Sequence, residues 1–231
     1  MNPRKRTARL AGVLLLLGGI TAPFSLIYLP KKLIVAGDAA ATANHVRAFE
    51  KVLRIAITCD LVGGILFTLA VLTLYRLFKD VDKQQALYMI VLWVVTVPIT
   101  FINELNRIGA LILVSDASFL SAFTPGQTDA LAMLLLKVFG QGIIVNQIFW
   151  GLWLVPYGIL VYKSRFIPRV LGIPLIIAGS AYVSASVTEL LSPHYAHLVT
   201  GWLLMLGIGE APILIWLLVK GVKDQSTDEV S

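Results

Sequence analysis

The chain has 231 residues, of which 58% are hydrophobic and only 14% are charged. A soluble domain carries about 25% charged residues, and a single core of this size could not bury so much apolar surface, so the composition excludes an ordinary soluble protein. The formal net charge is +6, but the basic residues flank apolar runs. That placement indicates membrane orientation and contact with anionic lipid headgroups, and we expect no nucleic-acid partner.

The apolar runs are continuous and rich in Leu, Ile, Val, Ala and Gly. A transmembrane helix needs about 20 such residues, whereas the strands of a membrane barrel would show segments of about 10 residues with alternating polarity. The sequence therefore predicts an all-α fold. We expect a polytopic membrane helix bundle of about six transmembrane helices, built as a single membrane domain over residues 1–231.

The predicted spans follow one another with short connections. They cover residues 8–28, 52–78, 86–114, 142–162, 168–191 and 198–219, and a polar tail occupies residues 220–231. The first span follows a basic segment, as a signal peptide would, but it is long enough to cross the membrane and we expect it to be retained. Pro23 predicts a kink within it.

Individual residues between these spans predict where helices begin or bend. Asp38 is predicted to cap a short interfacial helix over residues 39–50. Gly140 and Gly142 predict a bend that separates a short outer helix, residues 129–139, from the fourth span. Pro168 is typical of a first helical turn and predicts the start of the fifth span.

The distribution of Lys and Arg predicts the orientation, because cytoplasmic loops carry an excess of these residues. Twelve lie on one side: Arg4, Lys5, Arg6, Arg9, Arg76, Lys79, Lys83, Lys163, Arg165, Arg169, Lys220 and Lys223. Five lie on the other: Lys31, Lys32, Arg47, Lys51 and Arg54. The first side is predicted to be cytoplasmic, so both termini are expected inside.

Ionisable groups inside the spans are the candidates for function, because each costs roughly 2.5–3.5 kcal/mol at the bilayer centre. The candidate ligand- or ion-binding residues are Asp60, Glu104, Arg107, Gln141, Glu189 and Glu210, accompanied by Asn103, Asn106, Asn146, Gln147, Tyr182 and Ser186. Glu104 and Arg107 are three residues apart, which predicts an ion pair on one helix face. All these groups fall in the outer half of the spans or near the midplane, which predicts an outward-facing polar pocket.

The charges in this predicted pocket do not balance. Three acids, Asp60, Glu104 and Glu210, face one base, Arg107, and only Arg54 and Lys137 at the rim are placed to compensate in part. The remaining excess predicts that an acid holds a proton or a cation. The competing interpretation is that these groups only join helices by hydrogen bonds.

Other reactive residue types give weaker signals. His194 and His197 share the outer side with His45, but no spacing completes a ligand set, so no metal site is predicted. Cys59 is the single cysteine and is interpreted as a buried structural residue. We expect no cofactor, because no histidine pair suits haem and the last span contains no lysine for a retinal linkage.

Several short motifs are similar to those of one protein family. They are residues 7–12, 37–43, Arg54, residues 60–61, 74–76, 149–153 and 164–172, Glu210 and residues 216–221. In this order along the chain, they resemble a family of small bacterial membrane proteins of uncharacterised role, domain of unknown function 4386. The resemblance implies a multi-pass protein of a bacterial cytoplasmic (inner) membrane. It implies no activity and no functional residues.

Three function classes remain open. The first is a protein that binds or transports a proton, a cation or a small polar solute, in which neutralising Asp60 or Glu210 would abolish binding or flux. The second is a membrane enzyme acting on a lipid or a lipid-soluble substrate, with an acid as proton donor or acceptor and Arg107 on an anionic group. The third is a structural or accessory subunit. The expected partner is the lipid bilayer, and the sequence predicts no oligomeric state.

Overall fold

A computed structural model describes residues 3–195 and 208–222, and all regular structure in these ranges is helical. The α-helices are α1 (Pro3–Gly19), α2 (Leu29–Leu33), α3 (Ala39–Ala48), α4 (Glu50–Phe78), α5 (Lys83–Leu113), α6 (Pro125–Lys163), α7 (Gly172–Leu191) and α8 (Ala211–Val219). A π-helical segment occupies Pro23–Tyr28, and short 3-10 turns lie at Ser118–Ala122, Arg169–Leu171, Pro193–Tyr195 and Ile208–Glu210. The prediction of an all-α fold is confirmed.

Five helical stretches in the described ranges are long and apolar enough to cross a membrane: Pro3–Leu33, Glu50–Phe78, Lys83–Leu113, Pro125–Lys163 and Arg169–Leu191. Their outward faces remain apolar, as the exposed fractions of Ile55 (63%), Ile102 (66%) and Val170 (65%) show. Such a surface suits hydrocarbon rather than water. Residues 198–207 of the sixth predicted span, 198–219, lie outside the described residues, and the remaining part of that span includes α8.

The first span is irregular where the sequence predicts a kink. α1 ends at Gly19, and the π-helical segment begins at Pro23, whose ring cannot donate a backbone hydrogen bond. The backbone N–H of Ser25 donates to the carbonyl of Thr21 at 2.9 Å. Single-turn π segments are rare in proteins, and those that occur often lie at functional sites. This segment carries the buried side chain of Ser25.

The predicted cap of the short third helix is confirmed. Asp38 has an extended backbone conformation, and its Oδ1 accepts a hydrogen bond from the backbone N–H of Ala41 at 2.8 Å. The Thr42 hydroxyl then joins this turn to the preceding chain, since it accepts from the Val35 N–H at 3.0 Å. The bond to Asp38 satisfies a backbone donor that the start of a helix leaves unpaired.

The predicted bend at Gly140 and Gly142 is wrong, because α6 is one continuous helix of 39 residues. Gly142 instead allows a close approach, since a Cβ atom there would overlap the side-chain amide of Asn103. That amide donates to the backbone carbonyl of Phe139 at 2.9 Å. The glycine therefore makes room for a buried polar contact and does not break the helix.

The chain divides into two compact units. Unit 1 comprises the described residues within 1–17, 66–97 and 144–231, and unit 2 comprises residues 18–65 and 98–143. The core of unit 1 is rich in aromatic rings: Trp93 lies 4.1 Å from Phe67 and Trp153 lies 5.4 Å from Tyr157, between ring centroids. The core of unit 2 is aliphatic and includes Leu29, Leu33, Val46, Leu53 and Leu136.

Within unit 1, α6 and α7 pack through glycines placed seven residues apart on each helix. A Cβ atom at Gly158 would lie 2.7 Å from the carbonyl oxygen of Gly172, and one at Gly151 would overlap the carbonyl of Gly179. Small residues let membrane helices approach at backbone distance. The same unit joins the α4–α5 turn to the end of α6, because Lys163 Nζ lies 2.7 Å from Asp82 Oδ2.

Candidate functional site

The most connected polar group of unit 2 is the Arg107 guanidinium. Its Nη1 lies 2.8 Å from Asp60 Oδ2 and 3.1 Å from Glu104 Oε1, and both Nη1 and Nη2 donate to Ser25 Oγ at 3.2 Å. The Ser25 hydroxyl in turn donates to Asp60 Oδ2. We call these four residues the Arg107 cluster. The predicted ion pair between Glu104 and Arg107 is confirmed.

Three helical segments build the cluster, and a fourth covers it. Ser25 comes from the π-helical segment, Asp60 from α4, and Glu104 and Arg107 from adjacent turns of α5. Phe139 of α6 covers the guanidinium, with the Arg107 Cζ 4.7 Å from the ring centroid. A cation over an aromatic face is attracted to the negative potential of the ring.

The charged side chains of the Arg107 cluster are almost fully buried, which is energetically costly. The side chains of Arg107 and Glu104 are 2% and 3% exposed, and that of Asp60 is 11% exposed. Two carboxylates share one guanidinium, so the cluster has one excess negative charge when both acids are ionised. Glu104 Oε2 is buried and has no hydrogen-bond partner among the described residues. A buried acceptor without a hydrogen-bond donor destabilises the folded protein, so the burial of this oxygen requires a physical explanation.

A small apolar cleft adjoins the cluster. It is lined by Ser25, Leu29, Pro30, Leu33, Ile34, Leu53, Arg107, Leu136 and Phe139, and its cavity volume is about 20 Å³. This volume holds about one water molecule. Apart from Ser25 and Arg107 the lining is apolar, so the cleft differs from the polar pocket that the sequence predicts.

Three predicted site residues are not members of the Arg107 cluster. Gln141 belongs to unit 2, but its side chain is exposed on the continuous helix α6. Glu189 and Glu210 belong to unit 1, where both are half-buried. The Glu210 carboxylate accepts a hydrogen bond from Tyr182, so Asp60 and Glu210 have separate sets of partners.

The predicted rim cations form no ion pair with the Arg107 cluster. Arg54 pairs with Glu50 at 2.9 Å one turn earlier on α4, and Lys137 has an exposed side chain. The only ion pairs of Asp60 and Glu104 among the described residues are therefore those with Arg107.

The other polar residues that were predicted to accompany the site make contacts within one unit or the other. Asn146 Nδ2 donates to the carbonyl of Thr96 at 3.4 Å, and Ser186 Oγ lies 3.4 Å from Gln147 Oε1. Both contacts lie within unit 1. Asn106 instead belongs to unit 2, where it donates to the side chain of Asn103 at 3.1 Å. These amides serve helix-to-helix or local contacts.

His45, His194 and Cys59 are the described histidines and cysteine. His194 packs edge-on against Tyr195, His45 lies on α3, and His197 lies outside the described residues. Among residues 3–195 and 208–222, no set of three His, Cys, Asp or Glu side chains is placed to hold a metal ion. Cys59 is free and half-buried, less enclosed than predicted.

Two residues of the site and one ion pair could not be predicted from the sequence. Ser25 is a single hydroxyl in an apolar run, and Phe139 is one of many aromatic residues, so neither carries a distinguishing signal. Arg47 Nη2 binds Asp129 Oδ1 at 3.0 Å and connects α3 to the start of α6. The 82-residue separation of that pair leaves no local pattern in the sequence.

Comparison with known proteins identifies a family, but no activity is assigned to that family. The sequence model of the family described as "Domain of unknown function (DUF4386)" matches residues 10–221. An uncharacterised protein of Archaeoglobus fulgidus is 27% identical over 160 residues, which cover 67% of this chain and 93% of that protein. This relative comes from an archaeon, so it does not support the expected bacterial restriction. No solved structure matches the chain.

Proposed function

We propose that this chain, which belongs to the family described as Domain of unknown function (DUF4386), crosses the cytoplasmic membrane several times and binds a proton at the Arg107 cluster. The cluster is then the proton-binding site of a protein that binds or transports a proton, a cation or a small polar solute. The supporting observation is the excess of carboxylates over cations in a buried site.

The charge argument starts from desolvation. An uncompensated charge taken from water into an apolar interior costs many kcal/mol, and proteins avoid this cost by neutralising the group. Arg107 compensates one of the two carboxylates, Asp60 or Glu104. A proton on Glu104 Oε2, the oxygen without a partner, removes the excess charge at the place where no other group does.

A proton fits this site better than a metal ion. A hard cation needs about six oxygen ligands, whereas Asp60 Oδ2 and Glu104 Oε1 already accept hydrogen bonds from Arg107. The guanidinium would also repel a second cation at this distance. The adjoining cleft has room for about one water molecule, which could carry a proton to the cluster.

The test is proton binding by the purified protein. Carbodiimides react with protonated carboxyl groups in apolar surroundings, so labelling followed by peptide mapping reports which acid holds the proton. We expect labelling at Glu104, loss of that label in Glu104→Gln, and reduced proton uptake after a pH jump in the same variant. Reconstituted vesicles carrying Asp60→Asn or Glu104→Gln should also lose proton-coupled flux.

Two control variants separate this site from other acids. Glu50→Gln removes an exposed acid of α4 that pairs with Arg54, and Glu210→Gln removes an acid of unit 1. Both should keep the carbodiimide label at Glu104. Equal proton uptake by the unmodified protein and by Glu104→Gln would refute the proposal.

A structural role is the second candidate, and one observation favours it. The Arg107 cluster and Phe139 join the π-helical segment, α4, α5 and α6, as expected of polar contacts that hold helices together. In that case the triple change Asp60→Leu, Glu104→Met and Arg107→Met should preserve folding and any cellular phenotype. Preserved folding with a lost phenotype would exclude it.

A further inference from the structure

The two carboxyl groups of the Arg107 cluster receive different numbers of hydrogen bonds. Asp60 Oδ2 accepts one bond from the Ser25 hydroxyl and one from Arg107 Nη1, the latter at 2.8 Å. Glu104 Oε1 accepts from Arg107 Nη1 at 3.1 Å, and Glu104 Oε2 has no partner among the described residues. Besides a shorter contact with Arg107, the Ser25 hydroxyl is therefore what distinguishes Asp60 from Glu104.

Arg107 fixes the direction in which the Ser25 hydroxyl donates. A hydroxyl has one hydrogen to donate and two lone pairs that accept. Nη1 and Nη2 of Arg107 both donate to Ser25 Oγ at 3.2 Å, so the hydroxyl hydrogen is left for Asp60 Oδ2. Ser25 is 1% exposed, which excludes bulk water as a competing acceptor. The π-helical segment thus supplies a buried donor that is dedicated to Asp60.

This additional donor affects which acid is ionised. Hydrogen bonds to the charged form of a carboxyl group favour that form, and they are stronger than bonds between neutral groups. Among the described residues, the charged groups that face Glu104 are Arg107 on α5 and Asp60 on α4. The π-helical segment and α6 add only the uncharged Ser25 and Phe139. The Ser25 bond therefore favours an ionised Asp60 and leaves the proton for Glu104.

We propose that Ser25 is a positioning residue that selects Glu104, rather than Asp60, as the acid that holds the proton of the Arg107 cluster. This inference rests on the proposed proton binding and adds the residue that decides between the two acids. Ser25 acts through its hydrogen bond to Asp60 and does not hold the proton itself. Solvent access would favour the opposite choice, because the side chain of Asp60 is 11% exposed and that of Glu104 only 3%.

The test is the distribution of a carbodiimide label between the two acids in the reconstituted full chain. Labelled peptides are mapped by mass spectrometry, and the readout is the ratio of label on Glu104 to label on Asp60. In Ser25→Ala we expect this ratio to fall by about tenfold, because a hydrogen bond to a charged group is worth at least that factor. The total label per chain should stay the same, since the variant leaves two acids and one base in the cluster.

Matched variants separate this role from a loss of stability. Ser25→Thr keeps the hydroxyl and should retain the label on Glu104, whereas Ser25→Cys has a weaker donor of similar size and should give an intermediate ratio. Ser186→Ala removes another fully buried hydroxyl, which lies in unit 1 at 3.4 Å from Gln147 Oε1, and should leave the ratio unchanged. If Ser25→Ala does not fold, the comparison of Ser25→Cys with Ser25→Thr decides the question.

Two kinds of result would overturn the role of Ser25 and leave proton binding by the cluster intact. One is a ratio that does not change in Ser25→Ala and Ser25→Cys, or that changes as much in Ser25→Thr or Ser186→Ala. The other is a label shared equally between Asp60 and Glu104 in the unmodified chain, which requires no variant. Absence of label from both acids in the unmodified chain would instead refute the proton-binding proposal, and the role of Ser25 with it.

Discussion

Arg107 has two acidic partners in a buried site, and this sets the consequence of removing it. In Arg107→Gln, Asp60 and Glu104 would face each other without a cation. Breaking a buried ion pair by removing one partner typically costs about 3–5 kcal/mol. We expect Arg107→Gln to destabilise the protein by this amount, measured as a lower unfolding midpoint in detergent.

The matched control is the exposed pair on α4. Arg54 and Glu50 are 60% and 50% exposed in their side chains, and exposed pairs one turn apart contribute only about 0.3–0.5 kcal/mol. Arg54→Gln should therefore leave the midpoint nearly unchanged. A similar loss of stability in both variants would mean that the Arg107 cluster is as well solvated as the surface.

Asp82 gives a pH dependence outside the spans. Its hydrogen bond with Lys163 and a further bond from the Gln85 N–H lower the pKa of Asp82 below that of a free carboxyl. A group with a lowered folded-state pKa stabilises the protein above its unfolded pKa of about 4, and this contribution disappears as the pH falls through the folded value. Asp82→Asn should remove that part of the acid sensitivity.

The expected size of this effect is small. Lys163 is half exposed, and exposed ion pairs contribute at most about 1 kcal/mol. The measurement compares the unfolding midpoints of Asp82→Asn and the unmodified protein at pH 6 and pH 3. The stability difference between them should shrink at the lower pH. A difference that stays constant with pH would show that Asp82 acts only as a neutral helix cap.

Residue-level prediction from the sequence worked where the determinant is local. Glu104 and Arg107 lie three residues apart, and helix geometry alone brings them together. Ser25 could not be predicted, because its approach to Asp60 depends on a π-helical turn and on the packing of two distant segments. Gln141 was assigned to the site from its place at the outer end of the fourth predicted span, but its side chain is exposed.

At the scale of the helix, Gly158 and Gly140 of α6 offer a direct comparison. A Cβ atom at Gly158 would lie 2.7 Å from the backbone carbonyl of Gly172, which cannot move without displacing α7. Overpacking of this kind costs about 1–3 kcal/mol. We therefore expect Gly158→Ala to lower the unfolding midpoint in detergent.

Gly140 is on the same helix but meets nothing within 4 Å. Alanine is more favourable than glycine inside a helix by about 1 kcal/mol, so Gly140→Ala should raise the midpoint. Opposite signs in the two variants would confirm close packing of α6 on α7. Stabilisation by both would show that the two helices are separated by more than the structure indicates.

The contrast between Asp38 and Gly142 shows how far a helix can be predicted from its sequence. Asp38 follows a glycine and precedes a run of alanines, and its cap depends only on a neighbour three residues away. Gly142 gives the same signal whether it bends a helix or admits the amide of Asn103. Only the packing of α5 against α6 within unit 2 decides between these alternatives.

For the whole molecule, the length of α6 constrains how the chain meets a bilayer. Its 39 residues make a helix about 58 Å long, whereas the hydrocarbon layer is about 30 Å thick. The helix must therefore extend beyond the hydrocarbon or lie strongly tilted. This length accounts for why the sequence suggested two elements, each of ordinary size, where one long helix is present.

The orientation of the chain in the membrane can be tested at the exposed turns between helices. The excess of Lys and Arg predicts that the α4–α5 turn is cytoplasmic and the α5–α6 connection is external. In a Cys59→Ser background, Asp80→Cys and Ser121→Cys place one exposed thiol in each turn without changing a basic residue. A membrane-impermeant maleimide added to intact cells should label Ser121→Cys at once and Asp80→Cys only after permeabilisation. The reverse pattern would invert the predicted topology and place Lys31 and Lys32 on the cytoplasmic side.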